Sequence, residues 1–187
     1  MKNITVPDQV VVVDLEGTCW LTQPRSTNRD VIEIGACVLD THSGNTMRAA
    51  SVLVLPTHSR IGLYCRFVTG ITSEMVERGM DFRHACRWLR AEFGDALPWA
   101  AWGQWDRAQL TAQCAREQIV YPLSDNHIDI KLLTAECFGW KRPKSLVGAL
   151  SALGMQFQGQ KHHAVDDAIN EAHVLYKALL QLHERQN

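Results

Sequence analysis

Four consecutive valines, Val10–Val13, run directly into Asp14-Leu15-Glu16 near the start of the chain. An unbroken β-branched run closed by acids reads as a buried strand from Gln9 to Glu16, ended by Gly17. A polar loop with Pro24, Ser26, Thr27 and Asn28 follows. Asp30–Asp40 then carries apolar residues at 32, 34, 36 and 38, the alternation of a half-buried strand. His42-Ser-Gly-Asn45 reads as a turn, and Met47–Leu55 as a strand stopped by Pro56. Strands joined by a short glycine-containing loop predict a hairpin, so the opening is expected to be a three-strand antiparallel meander.

Beyond residue 70 the period lengthens. Thr72–Glu77 predicts a short capped helix, and Asp81–Asp95 an amphipathic one with apolar residues at 82, 85, 86, 89 and 93. Trp99–Gly103 fits a short buried strand, and Asp106 opens a helix to about Gln118. Helices are expected over His127–Phe138 and Ser145–Leu153, separated by the basic loop Lys141-Arg142-Pro-Lys144. A last helix is expected over about Ala164–His183. With no repeat or linker, the pattern predicts one α/β domain over residues 1–187, its core at about 9–180.

Composition narrows the function classes. The chain has 187 residues, 46% apolar and 21% charged, an ordinary globular balance rather than a disordered or fibrous one. Its apolar stretches are too short to span a bilayer, and its first residues lack a signal-peptide pattern, so a cytoplasmic protein is expected. Six scattered cysteines without a Cys-x-x-Cys pair argue for reduced thiols and against zinc. The net charge of −1 gives no general affinity for nucleic acid, although bound cations would reverse the sign at one site.

Asp14 and Glu16 are two apart on a strand, so their carboxylates share a face. Beside an apolar core they either hold a cation or surface into solvent as the strand ends. Asp106, at a helix start, is a ligand candidate or a helix cap. Lys161-His162-His163-Ala-Val-Asp166-Asp167 leads into the last helix, where acids suit the helix dipole and histidine can exchange a proton near neutrality. Asp167 and Glu171 lie one turn apart, a spacing also found on solvated faces. Together, Asp14, Glu16, Asp106 and Asp167 with His162 make four hard oxygen ligands and one base, a set suited to Mg²⁺ or Mn²⁺ and to phosphoryl displacement.

In these residues the sequence resembles the DEDDh 3′→5′ exonucleases of the ribonuclease H-like superfamily. The strings are Asp14-Leu-Glu16-Gly-Thr-Cys19, Val31-Ile-Glu-Ile-Gly35, Thr69-Gly-Ile-Thr72, Trp105-Asp106, and His162-x4-Asp167 with Asn170 following. Within the family the resemblance is to the Eri-1-like RNA exonucleases, and it spans about residues 9–180. It implies a mixed sheet, three antiparallel strands first and then parallel ones, flanked by helices. It also implies two Mg²⁺ or Mn²⁺ ions on Asp14, Glu16, Asp106 and Asp167, with Glu16 and His162 catalytic and His162 as general base. Gly17, Thr18, Trp20 and His162 are the implied contacts to a 3′-terminal nucleotide. The substrate implied is a nucleic-acid 3′ end, RNA favoured and DNA possible, with no membrane partner. A DNA-directed proofreading or repair nuclease is the alternative, and a non-catalytic module would be expected to lack one of the five residues. Asp14 comes early, so substrate contacts are expected from the core itself; Lys141, Arg142, Lys144 and Lys161 either touch phosphates or lie in a solvated loop.

Overall fold

β1 (Gln9–Gly17) is the middle strand of a five-stranded sheet in the computed structural model, which describes residues 7–22 and 28–186. Of the expected polar loop, Pro24, Ser26 and Thr27 fall outside the described residues. β2 (Val31–Asp40) pairs antiparallel with β1 from Gln9↔Asp40 to Glu16↔Glu33, and β3 (Thr46–Leu53) pairs antiparallel with β2. The meander is therefore present. On the other side of β1 lie β4 (Trp99–Ala101) and β5 (His127–Asp129), both parallel, giving the order β3-β2-β1-β4-β5.

Strand alternation divides the core in two. Val11, Val13 and Leu15 face a layer that includes α3 (Phe82–Phe93) and α4 (Trp105–Glu117). Val10 and Val12 face α5 (Ile130–Cys137), α6 (Leu146–Ala152) and α7 (Ala164–Gln186). The period of two thus puts Asp14 and Glu16 on the α7 side of the sheet. The central strands are buried on both faces, which is why β1 reads as a continuous valine run.

Short polar residues start several helices. Thr72 caps α2 (Ser73–Val76), and Asp81, Asp129 and Ser145 cap α3, α5 and α6, each accepting a backbone amide three residues on. Such a cap contributes ~1 kcal/mol. Two expectations need correction. His127–Phe138 is not one helix: His127–Asp129 pairs with β4 as β5, and Asp129 then caps α5. A helix α1 (Leu63–Thr69) lies where none was expected, with Leu63 and Phe67 exposed in place of an amphipathic pattern. All six cysteines are free, and among the described residues no helix is long and apolar enough to cross a membrane.

Candidate active site

β4 pairs with β1 only as far as Val12, so the last residues of β1 are open on that side. The amide of Leu15 is not left bare there: it donates to Asp106 Oδ1 at 3.0 Å, binding the first turn of α4 to the end of β1. Asp106 does not cap its helix, a position held by Gln104, and is 4% exposed. Ligand sites in α/β sheets form at the carboxyl ends of strands where the chain switches direction. Here that point is a cleft of about 410 Å³ whose walls include Asp14, Glu16, Asp106, His162, Asp167 and Glu171.

α7 approaches the sheet very closely. A Cβ on Gly35 would lie 2.2 Å from the carbonyl carbon of Ala164, so only glycine lets the helix start here. Glu33, buried in β2, accepts the Ala164 amide at 3.1 Å and serves the helix N-terminus from across the sheet. Asn170 fastens the preceding loop by bonds to both backbone groups of Gln158.

This packing separates the paired histidines and the paired aspartates. His162 has a left-handed backbone, φ 61°, and its amide donates to Asp167 Oδ2 at 2.7 Å. Its Nδ1 lies 3.5 Å from Glu16 Oε1, and Glu16, His162 and Asp167 each offer a ligand atom within 4.8 Å of the others. His163 turns away, its Nδ1 at 3.0 Å from Asp166 Oδ2 and its Nε2 at 3.5 Å from Glu33. Asp166 also accepts the Gln160 amide. The cleft therefore takes His162 and Asp167, while His163 and Asp166 hold the loop.

Electrostatics mark the cleft as overcharged. Burial pushes the Asp106 carboxyl up to about 7 and Asp167 up to about 6. Burial also raises Asp14 well above the usual carboxylate range, helped by Glu171 and Asp106, and raises Glu171 in the same way. His162 is held above the ordinary imidazole value by its interaction with Glu16. Like charges in a shared, partly dry site favour protons or a cation between them.

Of the residues implied as substrate contacts, Gly17 lines the cleft, where a Cβ would come within 3.0 Å of the Trp105 ring. Thr18 does not reach it. Its hydroxyl is fully buried, 2.7 Å from Ser59 Oγ, and accepts the Asp30 amide, so it ties two loops together. Trp20 is half-buried and not part of the cleft wall. Lys141, Arg142 and Lys161 are exposed, and Lys144 lies over the Trp140 ring.

Glu171, Arg29, Val68, Trp102, Trp105 and Leu146 also stand on the cleft wall, although the sequence did not mark them as site residues. Glu171 had a signal, since it follows Asp167 by one turn. Trp105, 39% exposed beside Asp106 with Arg29 over its ring, offers an aromatic face at the mouth. Another acid and histidine group, Asp30, His58 and Glu117, already has its cation, because Arg116 pairs with both acids.

The exonuclease family known as RNase_T matches residues 11–175. The chain belongs to this family. Human ERI1 exoribonuclease 2 is 28% identical over 203 residues, an alignment covering 95% of this chain and 29% of that protein. The 3′-5′ exonuclease Snipper of Drosophila melanogaster is 31% identical over 185 residues, covering 86% of this chain and 66% of the relative. The chain thus spans under a third of the ERI1 exoribonuclease 2 it matches. Among solved structures, the nuclease domain of 3′hExo, a DEDDh family member bound to rAMP, superposes with a TM-score of 0.83 at 25% identity over 92% of both chains. The exonuclease fold accounts for the mixed sheet with its cleft at the ends of β1 and β4.

Proposed function

We propose that this exonuclease-family chain is a divalent-metal-dependent 3′→5′ exonuclease that shortens RNA from its 3′ end, releasing nucleoside 5′-monophosphates. The observation that carries the reading is the meeting of Asp14, Glu16, Asp106 and Asp167 with His162 in one open cleft. The donor set fits Mg²⁺ or Mn²⁺: it consists of carboxylates, hard oxygen ligands, crowded enough to raise one another's affinity for positive charge. Asp14, Glu16, Asp106 and Asp167 would hold two ions. Bound there, such ions supply Lewis-acid activation of water and neutralise charge on the phosphodiester.

The chain's own groups do the rest. Neutral His162 takes the proton of the attacking water, a role open to an imidazole exposed on one side and steered by Glu16 on the other. A bond forms from water oxygen to phosphorus, the bond from phosphorus to the penultimate 3′ oxygen breaks, and that oxygen leaves with a proton. Trp105, with Val68 and Leu146 nearby on the wall, gives the terminal base an apolar and aromatic seat. The exposed Lys141 and Arg142 precede Leu146 in the chain, which suits contacts to the phosphates of the incoming strand.

Support for RNA over DNA comes from relatives named as exoribonucleases and from the bound rAMP of the 3′hExo nuclease domain. The test is digestion of matched 5′-labelled RNA and DNA oligomers with Mg²⁺ or EDTA. RNA should give a ladder shrinking from the 3′ end, lost with EDTA and with Asp14→Asn. A clear preference for DNA would move the protein to a DNA-directed nuclease of the same chemistry, and robust cleavage in EDTA would overturn the metal-dependent reading.

A further inference from the structure

Glu171 sits one turn beyond Asp167 on α7, is 1% exposed, and lines the same cleft as Asp14 and Asp106. Its Oε2 is buried with no hydrogen-bond partner. The hydrogen bonds of Glu171, to the Trp102 backbone and to the Asp14 carboxyl, leave that oxygen without a donor, whereas other buried acids of this protein are served by several donors or by a backbone amide. Asp30 takes the amides of His58 and Ser59, the Ser59 hydroxyl and Arg116. Glu33 takes the Ala164 amide, and Asp106 the Leu15 amide. The charged groups acting most strongly on Glu171 are instead the acids Asp106 and Asp167, and Glu171 is in turn the leading charged influence on Asp14. A dry carboxylate oxygen without a donor is costly to fold in, and persists where something else satisfies it.

We infer that Glu171 is a fifth carboxylate of the cation site, completing with Asp14 the hold on a divalent ion on the α7 side of the cleft. The inference rests on the proposed metal-dependent reading and extends it beyond the four acids Asp14, Glu16, Asp106 and Asp167. Five acids against the charge of two divalent ions leave the loaded site still negative. The fifth carboxylate therefore tightens the grip on cations and adds to the repulsion that weakens the metal-free chain. A glutamate whose only task was to pack or to accept a hydrogen bond would not tighten the grip on cations.

The experiment uses the full chain and Mn²⁺ alone, with no substrate. Binding is followed by calorimetry and by the Mn²⁺ paramagnetic signal, and thermal melts are run in EDTA and in Mn²⁺. Wild type, Glu171→Gln and Asp14→Asn are compared. Glu171→Gln should weaken Mn²⁺ binding tenfold or more and shrink the Mn²⁺-induced rise in Tm. In EDTA it should melt at or above wild type, because a repelling charge has gone and the shape is kept. Mn²⁺ binding equal to wild type overturns the inference and leaves the proposed function standing, provided that Asp14→Asn has lost binding. A Glu171→Gln protein that melts below wild type in EDTA, or does not fold, also overturns it, since the carboxylate is then a structural partner. If wild type itself binds no Mn²⁺, the metal-dependent reading falls with it.

Discussion

Asp106→Asn separates the cost of the cleft from its use. The asparagine keeps an oxygen to accept the Leu15 amide, so the join between α4 and β1 survives while the charge disappears. The Asp106 carboxyl sits at about 7 in the folded chain against 3.8 for an ordinary aspartate, chiefly through burial. Keeping it ionised costs ~4 kcal/mol at most, at 1.36 kcal/mol for each tenfold in proton affinity. Sharing of charge among the neighbouring acids reduces this to about 2–4 kcal/mol. Its folded value is raised, so between about pH 4 and pH 7 the native chain holds a proton that the unfolded chain has lost. Metal-free stability therefore falls as pH rises through that window and stays low above it. Asp106→Asn escapes the loss. In EDTA at pH 8 it should melt about 5–15 °C above wild type, given roughly 2–4 °C per kcal/mol for a chain of this size. The gap should close toward pH 4–5, and Mg²⁺ or Mn²⁺ should reverse the order while the variant stays inactive. Circular-dichroism melts across pH 5–8 with and without cation decide it. A variant less stable than wild type at pH 8 in EDTA, or a gap that does not change with pH, would show that Asp106 carries no burial cost.

His162→Ala should lower kcat by ~10²–10⁴, whereas His163→Ala, whose ring holds Asp166, should stay within several-fold; steady-state rates on one RNA oligomer rank them, and the reverse order rejects the assignment. In the metal-free chain the His162 imidazole should titrate above the ordinary histidine value because Glu16 holds its proton on, a shift that a histidine NMR titration in EDTA reads and that Glu16→Gln should abolish; no upward shift in the metal-free chain rejects the pairing. Gly35→Ala forces a methyl into the Ala164 backbone and should cost about 3 kcal/mol or more by overpacking, with kcat falling further than RNA affinity, measured by melts and by binding to an oligomer in Ca²⁺.

The sheet's centre was legible because β1 states its burial in four valines and its site in two acids spaced for one face. The pairing of His162 with Asp167 was expected from the resemblance, which carries the His-x4-Asp spacing, and both residues line the cleft while His163 and Asp166 pair with each other. β5 was not legible. His127–Asp129 is three residues long and owes its strand to pairing with β4, a contact absent from local periodicity. α1 escaped because its large apolar residues Leu63 and Phe67 face outward while its buried side is made by Cys65 and Thr69, which carry no strong apolar signal. Glu171 read as part of a solvated face because i, i+4 acids usually are; its neighbours Ala168, Ala172 and Leu175 showed the opposite, that this stripe of α7 packs inward. Thr18 stood in the right string but turned the other way, toward Ser59 and Asp30, a choice made by β2 and the loop at 57–59 rather than by its own segment.

Water is the proposed nucleophile at the 3′-terminal phosphodiester. Digestion of a 5′-labelled RNA in ¹⁸O water, with mass analysis of the mononucleotides released early, tests it most directly. The expected products are nucleoside 5′-monophosphates carrying one ¹⁸O on phosphorus and a shortened strand ending in a free 3′ hydroxyl, both lost in EDTA. Products ending in a 2′,3′-cyclic or 3′ phosphate, or fragments cut first from the interior, would contradict it.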